Sequence, residues 1–470
     1  MTSAAEIPGQ ADVIVVGAGL AGIVAALTAA ESGAAVLLLE KGSEIGGSSV
    51  KAGGGMLFAG TDLQAEAGVA DDGEQLREAI LQYGRYKNDP ATVDAYIRHQ
   101  LGTFNWMCGH GAEFTLNITG TGEVSRMHST PRGYLARYLY GELLALPNAT
   151  CRTDAAVHRL LTDDQHRVTG VTATAGDADV TVAATRSVVL TSGGFARSPE
   201  LLQTFAPAWV DAVKMSGTEN TGDGLRMAWQ LGAGVADMGY IEASFGASIK
   251  NYPDLAEEAD EEPILLYPNS QGAIIVNLDG HRFVNEALNY KIISGICAGQ
   301  PKSIGFQIFD EKIMDRSQPT PSPADWKGGY ETGFVISAAT IAELAEKLLI
   351  DPGALQKTID TYNQYADTGT DPDFGRTIHD YGTPGGGRID TAPFYAFPSR
   401  NGLTTTYCGL RVDGHMRVLE VFGSPIPGLF AAGEVVGGFH GAAYLSGTGL
   451  GKAGVLGRAA GLECLAGATP

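Results

Sequence analysis

The sequence predicts an α/β fold whose main domain carries a parallel β-sheet, with an α+β domain inserted into it. Three observations support this prediction. A buried strand, a glycine-rich turn, a helix and a second strand follow one another near the N-terminus. An apolar strand that runs into glycines recurs at "SVVLTSGG" and "GLFAAGE". Between these two segments the alternation of strands and helices stops at about Met238 and resumes after about Ala392.

The N-terminal elements lie in one segment, "ADVIVVGAGLAGIVAALTAAESGAAVLLLEKG". Its apolar run Val13–Val16 is typical of a strand in a parallel sheet that is buried on both faces. The alanine-rich stretch that follows predicts a helix to about Ser32, and Ala35–Leu39 predicts the second strand. The segment therefore predicts a strand–turn–helix–strand unit.

The turn of this unit has the residues that a dinucleotide needs. Gly17 permits a tight turn, Gly19 lets backbone approach a pyrophosphate at the helix N-terminus, and Gly22 lets helix and strand pack closely. Glu40, after the second strand, can accept hydrogen bonds from ribose hydroxyl groups. Because strand, glycines, helix and acid occur in this order, the sequence predicts dinucleotide binding.

Further glycine-rich loops favour FAD over NAD. The segment "EIGGSSVKAGGGM" follows Glu40 closely and suits a ligand that extends beyond the first pyrophosphate contact. "SVVLTSGGFARSPEL" and "GLFAAGEVVGGFHGAAYLSGTGL" repeat the strand-and-glycine design farther along the chain. A flexible surface loop is the alternative for the first of these segments, and the recurrence argues against it.

The pattern predicts three segments that form two domains. Residues 1–237 and 393–470 are predicted to form one domain, and 238–392 to form the inserted one. Within the first segment, "HRLLTDDQHRVTGVTATAGDADVTVAATRSVVL" predicts a β-meander.

Local signals within the inserted domain predict its elements. "GAIIVNLDGHRFVNE" predicts a hairpin with its turn at Asp279 and Gly280. "SAATIAELAEKLLI" and "DPGALQKTIDTYNQYADTG" predict helices with Ser337 and Asp351 as N-caps. The acidic run "DLAEEADEE", which begins at Asp254, predicts a solvated loop.

The composition argues against several classes of function. The chain has 470 residues and a formal net charge of -21, which disfavours nucleic acid or an anionic membrane surface as a partner. Its five cysteines are scattered and form no metal or haem motif, which favours a reducing compartment. The first residues have no signal-peptide pattern, and no apolar run reaches membrane-spanning length. We expect a cytoplasmic protein without a metal site.

Seven motifs occur in an order that resembles a known family. They are "VVGAGLAG", "LLLEKG", "GGSSVKAGGGM", "VVLTSGGF", "NTGDGLRMA", "GHRFVNE" and "GLFAAGEVVGG". Over nearly the whole chain they are similar to the flavoprotein family of fumarate reductases, succinate dehydrogenases and 3-ketosteroid dehydrogenases. The resemblance implies a Rossmann-type FAD-binding domain with an inserted clamp domain that caps the substrate.

The resemblance also implies how FAD is held. Covalent members carry a histidine in the loop after the second strand, and "GGSSVKAGG" has none, so we expect non-covalent FAD. The candidate cofactor-binding residues are Gly17, Gly19, Gly22, Glu40, Lys41, Gly47, Ser48, Ser49, Gly54, Gly55, Val157, Ser192, Gly193, Asp223, Glu434, Gly449 and Leu450.

Three positions depart from the family members that act on dicarboxylates. Those members have an arginine after the RFVNE motif, a histidine in an HHTMGG-type turn and an arginine in a GANRLGGN-type turn. Tyr290, Thr405 and Tyr444 stand at these positions in this chain. Unpaired buried charge is costly, and phenols and a threonine cannot neutralise two carboxylates. The site is therefore predicted to prefer a neutral ketone, as in the 3-ketosteroid dehydrogenase branch.

Desaturation beside a ketone requires a group that polarises the carbonyl, a base and a hydride acceptor. The resemblance assigns the carbonyl oxygen to Tyr444 with the N–H groups of Thr448 and Gly449, where a helix start adds its positive end. Tyr290 is predicted to take the α-proton, and FAD to take the hydride. Because an unperturbed phenol has a pKa of about 10, Tyr290 needs a neighbour, and Tyr407 is one candidate.

The substrate itself stays open between two kinds of ketone. Arg400 and Lys291 are either surface charges or holders of a single carboxylate on an otherwise ketonic substrate. A 3-ketosteroid and a smaller ring such as 4-oxocyclohexanecarboxylate therefore remain candidates. His440 is expected to be a structural turn residue.

The leading prediction is an FAD-dependent dehydrogenase that desaturates a cyclic ketone and passes electrons to an external acceptor such as oxygen or a quinone. A fumarate-type or enoate reductase is the alternative, and Arg400 is its main support. A flavin-binding protein without turnover is a third possibility, which the paired tyrosines and the complete clamp argue against. The expected partner is a small-molecule ketone, and the oligomeric state is left open.

Overall fold

The computed structural model describes residues 6–117, 124–241, 243–249, 251–254, 262–319, 322–376 and 387–466. The chain divides into two compact units. The first unit comprises Met1–Pro207, Ser216–Ile241 and Thr405–Pro470, and the second comprises Ala208–Met215 and Glu242–Thr404. Most of the acidic run that was predicted to be a solvated loop lies outside the described residues.

The first unit contains thirteen strands, numbered here in chain order with those of the second unit. They are β1 (Gln10–Val16), β2 (Val36–Leu39), β3 (Gly55–Leu57), β4 (Thr115–Asn117), β5 (Met127–Ser129), β6 (Ala149–Arg152), β7 (Ala155–Thr162), β8 (Val168–Ala175), β9 (Ala178–Leu190), β11 (Val235–Ala236), β17 (Gly409–Leu410), β18 (Arg417–Leu419) and β19 (Pro425–Ala431), all within the described residues.

The main sheet of the first unit has a parallel centre. Its strand order is β18-β19-β9-β1-β2-β6, and every neighbouring pair from β19 to β6 is parallel. Strands β7, β8 and β9 form the predicted meander, with antiparallel pairing. The predicted α/β class with a parallel sheet is therefore confirmed.

The helices of the first unit are α1 (Leu20–Glu31), α2 (Asp62–Glu66), α3 (Gly73–Tyr83), α4 (Pro90–Gly109), α5 (Tyr134–Leu144), α6 (Pro199–Phe205), α7 (Asp223–Trp229) and α13 (Thr448–Glu463). Helix α1 ends where the sequence predicts, with Ser32 as its C-cap. It is buried against α13, where a Cβ on Gly457 would lie 2.6 Å from the Ala21 carbonyl oxygen. This close backbone packing fixes the position of α13 relative to the β1–α1 loop.

The second unit is an α+β assembly. Its strands are β10 (Val213–Lys214), β12 (Ser244–Ser248), β13 (Ile274–Val276), β14 (Gly305–Asp310), β15 (Ile336–Ala338) and β16 (Phe394–Leu403). Its helices are α8 (Tyr290–Cys297), α9 (Glu311–Met314), α10 (Trp326–Glu331), α11 (Ile341–Leu348) and α12 (Pro352–Thr368). The sheet has the order β10-β16-β14-β13, and β12 and β15 also pair with β16.

Strand β16 places the end of the second unit later than the predicted boundary at 392. This strand pairs with β14, β12 and β15, so the unit continues to Thr404. The sequence around it, "APFYAFPSRNGL", is apolar and resembles the start of another buried strand. Its partners are distant in the chain, which is why the boundary could not be located from local pattern.

In the second unit, the predicted hairpin and one of the two predicted N-caps are present. The hairpin is present, because Val276 pairs with Arg282 around a turn in which Gly280 has a φ of 78°. Asp351 is the N-cap of α12, and its carboxylate accepts a hydrogen bond from the Ala354 amide at 2.7 Å. The cap predicted at Ser337 is wrong. That residue lies in β15, and Thr340 caps α11 instead.

Candidate functional site

The loop between β1 and α1 is shaped by its glycines. Gly17 has a φ of 105°, and a Cβ there would lie 2.7 Å from the Thr191 carbonyl oxygen. A Cβ on Gly22 would lie 1.9 Å from the Gly17 carbonyl oxygen. A Cβ on Gly19 would meet only the Ser49 hydroxyl, at 3.8 Å. The loop therefore turns tightly against the sheet and leaves space beside Gly19 for a ligand.

The N-terminus of α1 is suited to an anion. Its N-cap, Gly19, has no side chain to occupy the first amides, and the first turn carries no acidic residue. The Ser49 hydroxyl accepts a hydrogen bond from the Leu20 amide at 3.1 Å. Amide groups at a helix start and the helix dipole together attract a pyrophosphate.

Glu40 is held at the edge of this loop by two backbone amides. Its carboxylate accepts hydrogen bonds from Ala18 and Gly42, each at 2.8 Å. A carboxylate offers about four lone-pair positions, so these bonds fix its orientation and leave acceptors for a ribose. The ribose contact of Glu40 stays a prediction.

We expect Glu40→Ala to weaken FAD binding by about tenfold or more, because a charge-assisted hydrogen bond contributes about 1.5–3 kcal/mol. Flavin content after extended dialysis measures the loss. Glu44→Ala is the matched control, because it removes an exposed carboxylate from the same loop. If Glu40→Ala keeps as much flavin as this control, Glu40 does not hold the ribose.

The second glycine-rich loop provides further candidate residues for binding a pyrophosphate. Gly47, Ser48 and Ser49 form a short 3-10 helix, and the Ser48 hydroxyl accepts a hydrogen bond from the Gly217 amide at 2.9 Å. A Cβ on Gly47 would meet nothing within 4 Å. Gly54 has a φ of 91°, and a Cβ there would lie 2.0 Å from the Thr130 carbonyl oxygen.

A small cavity lies between these glycine-rich loops and the last helix. Leu20, Ser49, Gly54, Thr130 and Leu450 are among the residues that line it. Leu450 lies in the first turn of α13, so the cavity connects the β1–α1 loop with the start of that helix. Gly55, the next glycine of the loop, begins β3.

The remaining predicted cofactor residues lie in the same unit. Val157 is buried in β7, and Gly193 follows β9 with a φ of 74°. The buried Ser192 hydroxyl has no hydrogen-bond partner among the described residues. The Lys41 ammonium lies 2.7 Å from the Asp223 carboxylate, so these two predicted cofactor residues form an ion pair.

Glu434 organises the turn after β19. Its carboxylate accepts hydrogen bonds from the Asn220 amide group at 2.8 Å, the Thr406 backbone amide at 2.8 Å and the Thr405 hydroxyl at 2.9 Å. Thr405, which the sequence assigns to the substrate, is therefore engaged with this carboxylate.

These features fit an FAD molecule in the first unit. The space beside Gly19 and Gly47 would admit a pyrophosphate, and Glu40 would face a ribose. The Ser192 hydroxyl lacks a partner within the described chain, as expected for a group that a ligand satisfies. The groups available to a ligand are backbone amides, hydroxyls and the Glu40 carboxylate. This combination matches the phosphates and ribose hydroxyls of a dinucleotide.

The start of α13 carries Tyr444. Gly447, with a φ of 87°, precedes the helix, and no side chain caps it. The Tyr444 hydroxyl accepts a hydrogen bond from the Gly449 amide at 3.2 Å, and the Thr448 amide donates to the Leu445 carbonyl at 3.1 Å. The two amides predicted to hold a ketone oxygen are thus used within the chain, one of them by the Tyr444 hydroxyl.

Two other rings support Tyr444. The Tyr407 ring lies parallel to it, with centroids 5.4 Å apart and an interplanar angle of 7°. The His440 ring lies 5.2 Å from both tyrosine rings, and its Nδ1 is 3.4 Å from the Thr448 hydroxyl. Tyr407 is fully buried, and its ring packs on Tyr444.

Lys452 is a buried cation that the sequence analysis did not single out. Its ammonium donates a hydrogen bond to the Val436 carbonyl at 2.5 Å. Burial lowers the pKa of Lys452 to about 8, while the charges of Glu434 and Asp237 oppose this shift. The side chain ties α13 to the strand end that carries Glu434.

Tyr290 begins α8 in the second unit. Asn289 caps this helix by accepting a hydrogen bond from the Lys291 amide at 2.9 Å. The Tyr290 ring stacks on Tyr267, with centroids 5.1 Å apart and an interplanar angle of 17°. The Lys291 ammonium lies 5.7 Å from the centre of the Tyr290 ring. Tyr267 was not predicted, because nothing in "LLYPNSQG" distinguishes it from a packing residue.

Arg400 lies in β16 and pairs with Ala247 of β12. Its side chain is half-buried and forms no ion pair within the described ranges. Burial raises the pKa of the Cys297 thiol to about 12, and the charge of Arg400 opposes this shift. A half-buried guanidinium of this kind can accept a carboxylate.

The described part of the chain contains neither a metal-binding cluster nor a membrane-spanning helix. No three histidine, cysteine, aspartate or glutamate side chains gather there to hold a metal ion. None of the helices described has the length and apolar character needed to span a membrane.

Comparison with known proteins identifies similar sequences over most of the chain. A family model described as "FAD binding domain" matches residues 12–450. The fumarate reductase (cytochrome) of Shewanella frigidimarina is 31% identical over 459 residues, which cover 96% of this chain and 76% of that protein. The NADH:fumarate oxidoreductase of Klebsiella pneumoniae (strain 342) is 31% identical over 450 residues, or 94% of this chain. The chain spans 46% of the length of that relative.

A dehydrogenase is also among the relatives. The 4-oxocyclohexanecarboxylate 2-dehydrogenase of Sinomonas cyclohexanicum is 28% identical over 527 residues, which cover 92% of this chain and 89% of that protein.

Solved structures include both classes of enzyme. The open conformation of a flavocytochrome c3 fumarate reductase has a TM-score of 0.85 and 29% identity, covering 98% of this chain and 79% of that one. The 3-ketosteroid-delta4-(5alpha)-dehydrogenase from Rhodococcus jostii RHA1, in complex with 4-androstene-3,17-dione, has a TM-score of 0.75 and 27% identity. That match covers 98% of each chain.

Proposed function

The chain belongs to the FAD binding domain family, and from this premise we propose that it desaturates a cyclic ketone beside its carbonyl group. It is an FAD-dependent oxidoreductase, so the predicted cofactor and flavoprotein family are confirmed. Its relatives include reductases and dehydrogenases that act on C=C and CH–CH groups. The residues at the start of α13 favour the dehydrogenase.

The observation that carries this proposal is the Tyr444 hydroxyl at the first turn of α13. Burial raises the pKa of Tyr444, although hydrogen bonds from the Gly449 and Gly447 amides lower it. The phenol is therefore protonated at neutral pH and can donate to a ketone oxygen. The positive end of α13 adds to the stabilisation of an oxygen that gains negative charge. A phenol cannot neutralise a carboxylate, which an arginine at this position would do.

We assign the α-proton to Tyr290 from its position in the family that the sequence resembles. The proton moves from the α-carbon to the Tyr290 oxygen as the C–H bond breaks and an O–H bond forms. Bound FAD supplies the acceptor for the hydride that the β-carbon loses. Tyr444 holds the carbonyl oxygen while charge develops there, and Tyr407 keeps the Tyr444 ring in place.

Arg400 supports a ring ketone that carries one carboxylate. Its half-buried guanidinium has no ion-pair partner within the described residues, so a substrate carboxylate would relieve an uncompensated charge. A small ring such as 4-oxocyclohexanecarboxylate meets this requirement, and a relative that is 28% identical bears that substrate in its name. A 3-ketosteroid is the second candidate and needs no cation.

Reduction of an unsaturated carboxylate is the alternative function. It is favoured by fumarate reductases that are 31% identical to this chain. Arg400 would then hold the substrate carboxylate. The tyrosines at two positions where those enzymes are expected to have arginine argue against a dicarboxylate.

An anaerobic panel of ring ketones, with and without a carboxylate, tests the proposal. Bleaching of the oxidised flavin is the expected result, and ketones with a carboxylate should respond at lower concentration. Arg400→Ala should remove that difference and leave the response to neutral ketones. If no ketone bleaches the flavin, while an enoate reoxidises the dithionite-reduced enzyme, the reductase takes the place of the dehydrogenase.

We expect the FAD to be held without a covalent bond. The loop after β2 that carries Gly47 and Gly54 contains no histidine to which a flavin could be attached. Denaturation with acid or heat should therefore release all of the yellow colour into the supernatant. A coloured protein pellet would contradict this expectation.

A further inference from the structure

Tyr267 and Tyr290 belong to a stack of groups in the second unit. Gly246 of β12 has a φ of 98°, and a Cβ there would lie 2.7 Å from the Tyr267 ring. The missing side chain lets this ring lie directly against the strand backbone. The Tyr267 ring also stacks on Tyr290, and Lys291 lies over the Tyr290 ring. The backbone of β12, the two tyrosine rings and the Lys291 ammonium therefore lie close together.

The backbone around Tyr267 holds its ring in this position. Its amide donates to the Pro323 carbonyl at 3.0 Å, and its carbonyl accepts from the Ser270 hydroxyl at 2.7 Å. The residue directly precedes a 3-10 helix, Pro268–Gln271. The ring is fixed from the strand side and by its own main chain, which restricts Tyr290 in turn.

Lys291 brings a positive charge to the same stack. Its side chain is only 6% exposed, and its ammonium lies 5.7 Å from the centre of the Tyr290 ring. An opposite charge at about 4–6 Å favours the ionised form of a neighbouring group, and low exposure limits the screening of that charge by water. An ammonium beside a phenol therefore favours the phenolate.

Charged and titratable groups of the second unit also lie on and around α8, and they include Cys297, Arg400 and Glu286. Cys297 lies on α8 itself and is a buried thiol, and Arg400 of β16 acts on that thiol. Glu286, in the loop before the helix, is bound by Arg282 and Arg376 and is compensated. Lys291 is a cation that lies over the Tyr290 ring, with its ammonium 5.7 Å from the ring centre.

We propose that Lys291 stabilises the phenolate of Tyr290 and that Tyr267 is a positioning residue that keeps the Tyr290 ring within reach of this charge. The inference rests on the proposed function, in which Tyr290 accepts the α-proton. It gives Tyr290 the neighbour that a phenol needs to act as a base near neutral pH. It also assigns Lys291 to Tyr290 rather than to a substrate carboxylate.

The ionisation of Tyr290 can be measured in the holoenzyme without substrate. Tyrosine labelled with 13C at Cζ gives a resonance that moves on ionisation, and the Tyr290→Phe spectrum assigns the signal. We expect Tyr290 to titrate below the ordinary phenol pKa of about 10. Lys291→Met should raise this pKa by about one unit, and Lys291→Arg should keep it low. Lys357→Met, which removes an exposed charge from α12 of the same unit, is the matched control.

The same titration tests Tyr267. Tyr267→Leu removes the stacked ring and should raise the pKa of Tyr290, whereas Tyr267→Phe keeps the ring and should leave the pKa low. If Tyr267→Phe raises it as much as Tyr267→Leu, the stack is not the cause and the positioning role is overturned.

Two outcomes would overturn the role of Lys291. One is a Tyr290 pKa that Lys291→Met leaves unchanged. The other, which decides the matter even if that variant does not fold, is a wild-type pKa at or above about 10. Because the titration requires no turnover, a low pKa that depends on Lys291, combined with a flavin that no ketone reduces, would refute the proposed reaction and not this inference.

Discussion

Tyr444→Phe is expected to slow flavin reduction by a ketone about 10²–10³-fold and to weaken ketone binding. The hydroxyl that it removes lies at the start of α13, and it is assigned to the oxygen that gains charge. Loss of one such donor typically costs this factor in rate. Stopped-flow measurement of flavin reduction across a ketone titration yields both the limiting rate and the affinity.

Tyr86→Phe is a suitable control for this variant. Tyr86 belongs to the same unit, is exposed, and bonds through its hydroxyl to Glu78. It should reduce its flavin as the parent enzyme does. A Tyr444→Phe enzyme that matches this control in rate and affinity would remove the observation on which the ketone assignment depends.

Tyr290→Phe is expected to slow flavin reduction without weakening ketone binding. Its hydroxyl is assigned to the α-proton, so flavin reduction should slow by roughly 10²–10⁴ while ketone affinity changes little. The same stopped-flow titration separates the rate from the affinity. Tyr330→Phe, at an exposed position of α10 in the same unit, controls for the loss of a hydroxyl.

The contrast between the two variants tests the division of roles. If Tyr290→Phe loses affinity and rate together, Tyr290 contacts the carbonyl rather than the proton. If both variants stay fast while Arg400→Ala abolishes turnover of an enoate, the chain is a reductase of an unsaturated carboxylate.

The cofactor half of the fold could be predicted because its signals are local. Gly17, Gly22 and Glu40 act within one strand–turn–helix–strand unit, and their spacing requires the turn that the structure contains. Asp351 was predicted for the same reason, since a cap and its helix are adjacent in the chain. Ser337 failed because pairing of β15 with β16 overrides a local cap signal.

Candidate positions for substrate residues could be proposed from the sequence, but the side chains that pack around them could not. The sequence proposes Tyr290 and Tyr444 as candidates, but the stack of Tyr267 on Tyr290 depends on a positive φ at Gly246 in another part of the chain. The parallel packing of Tyr407 on Tyr444 likewise joins residues from separate loops. Such contacts depend on long-range packing, which a single sequence does not display.

The most direct test of the proposed dehydrogenation is an anaerobic titration of the oxidised enzyme with 4-oxocyclohexanecarboxylate. The flavin should bleach, with one molecule of unsaturated ketone formed for each flavin reduced, and Tyr290→Phe should bleach far more slowly. A flavin that stays oxidised with this ketone and with a 3-ketosteroid, in an enzyme whose reduced flavin is reoxidised by fumarate or another enoate, would contradict it.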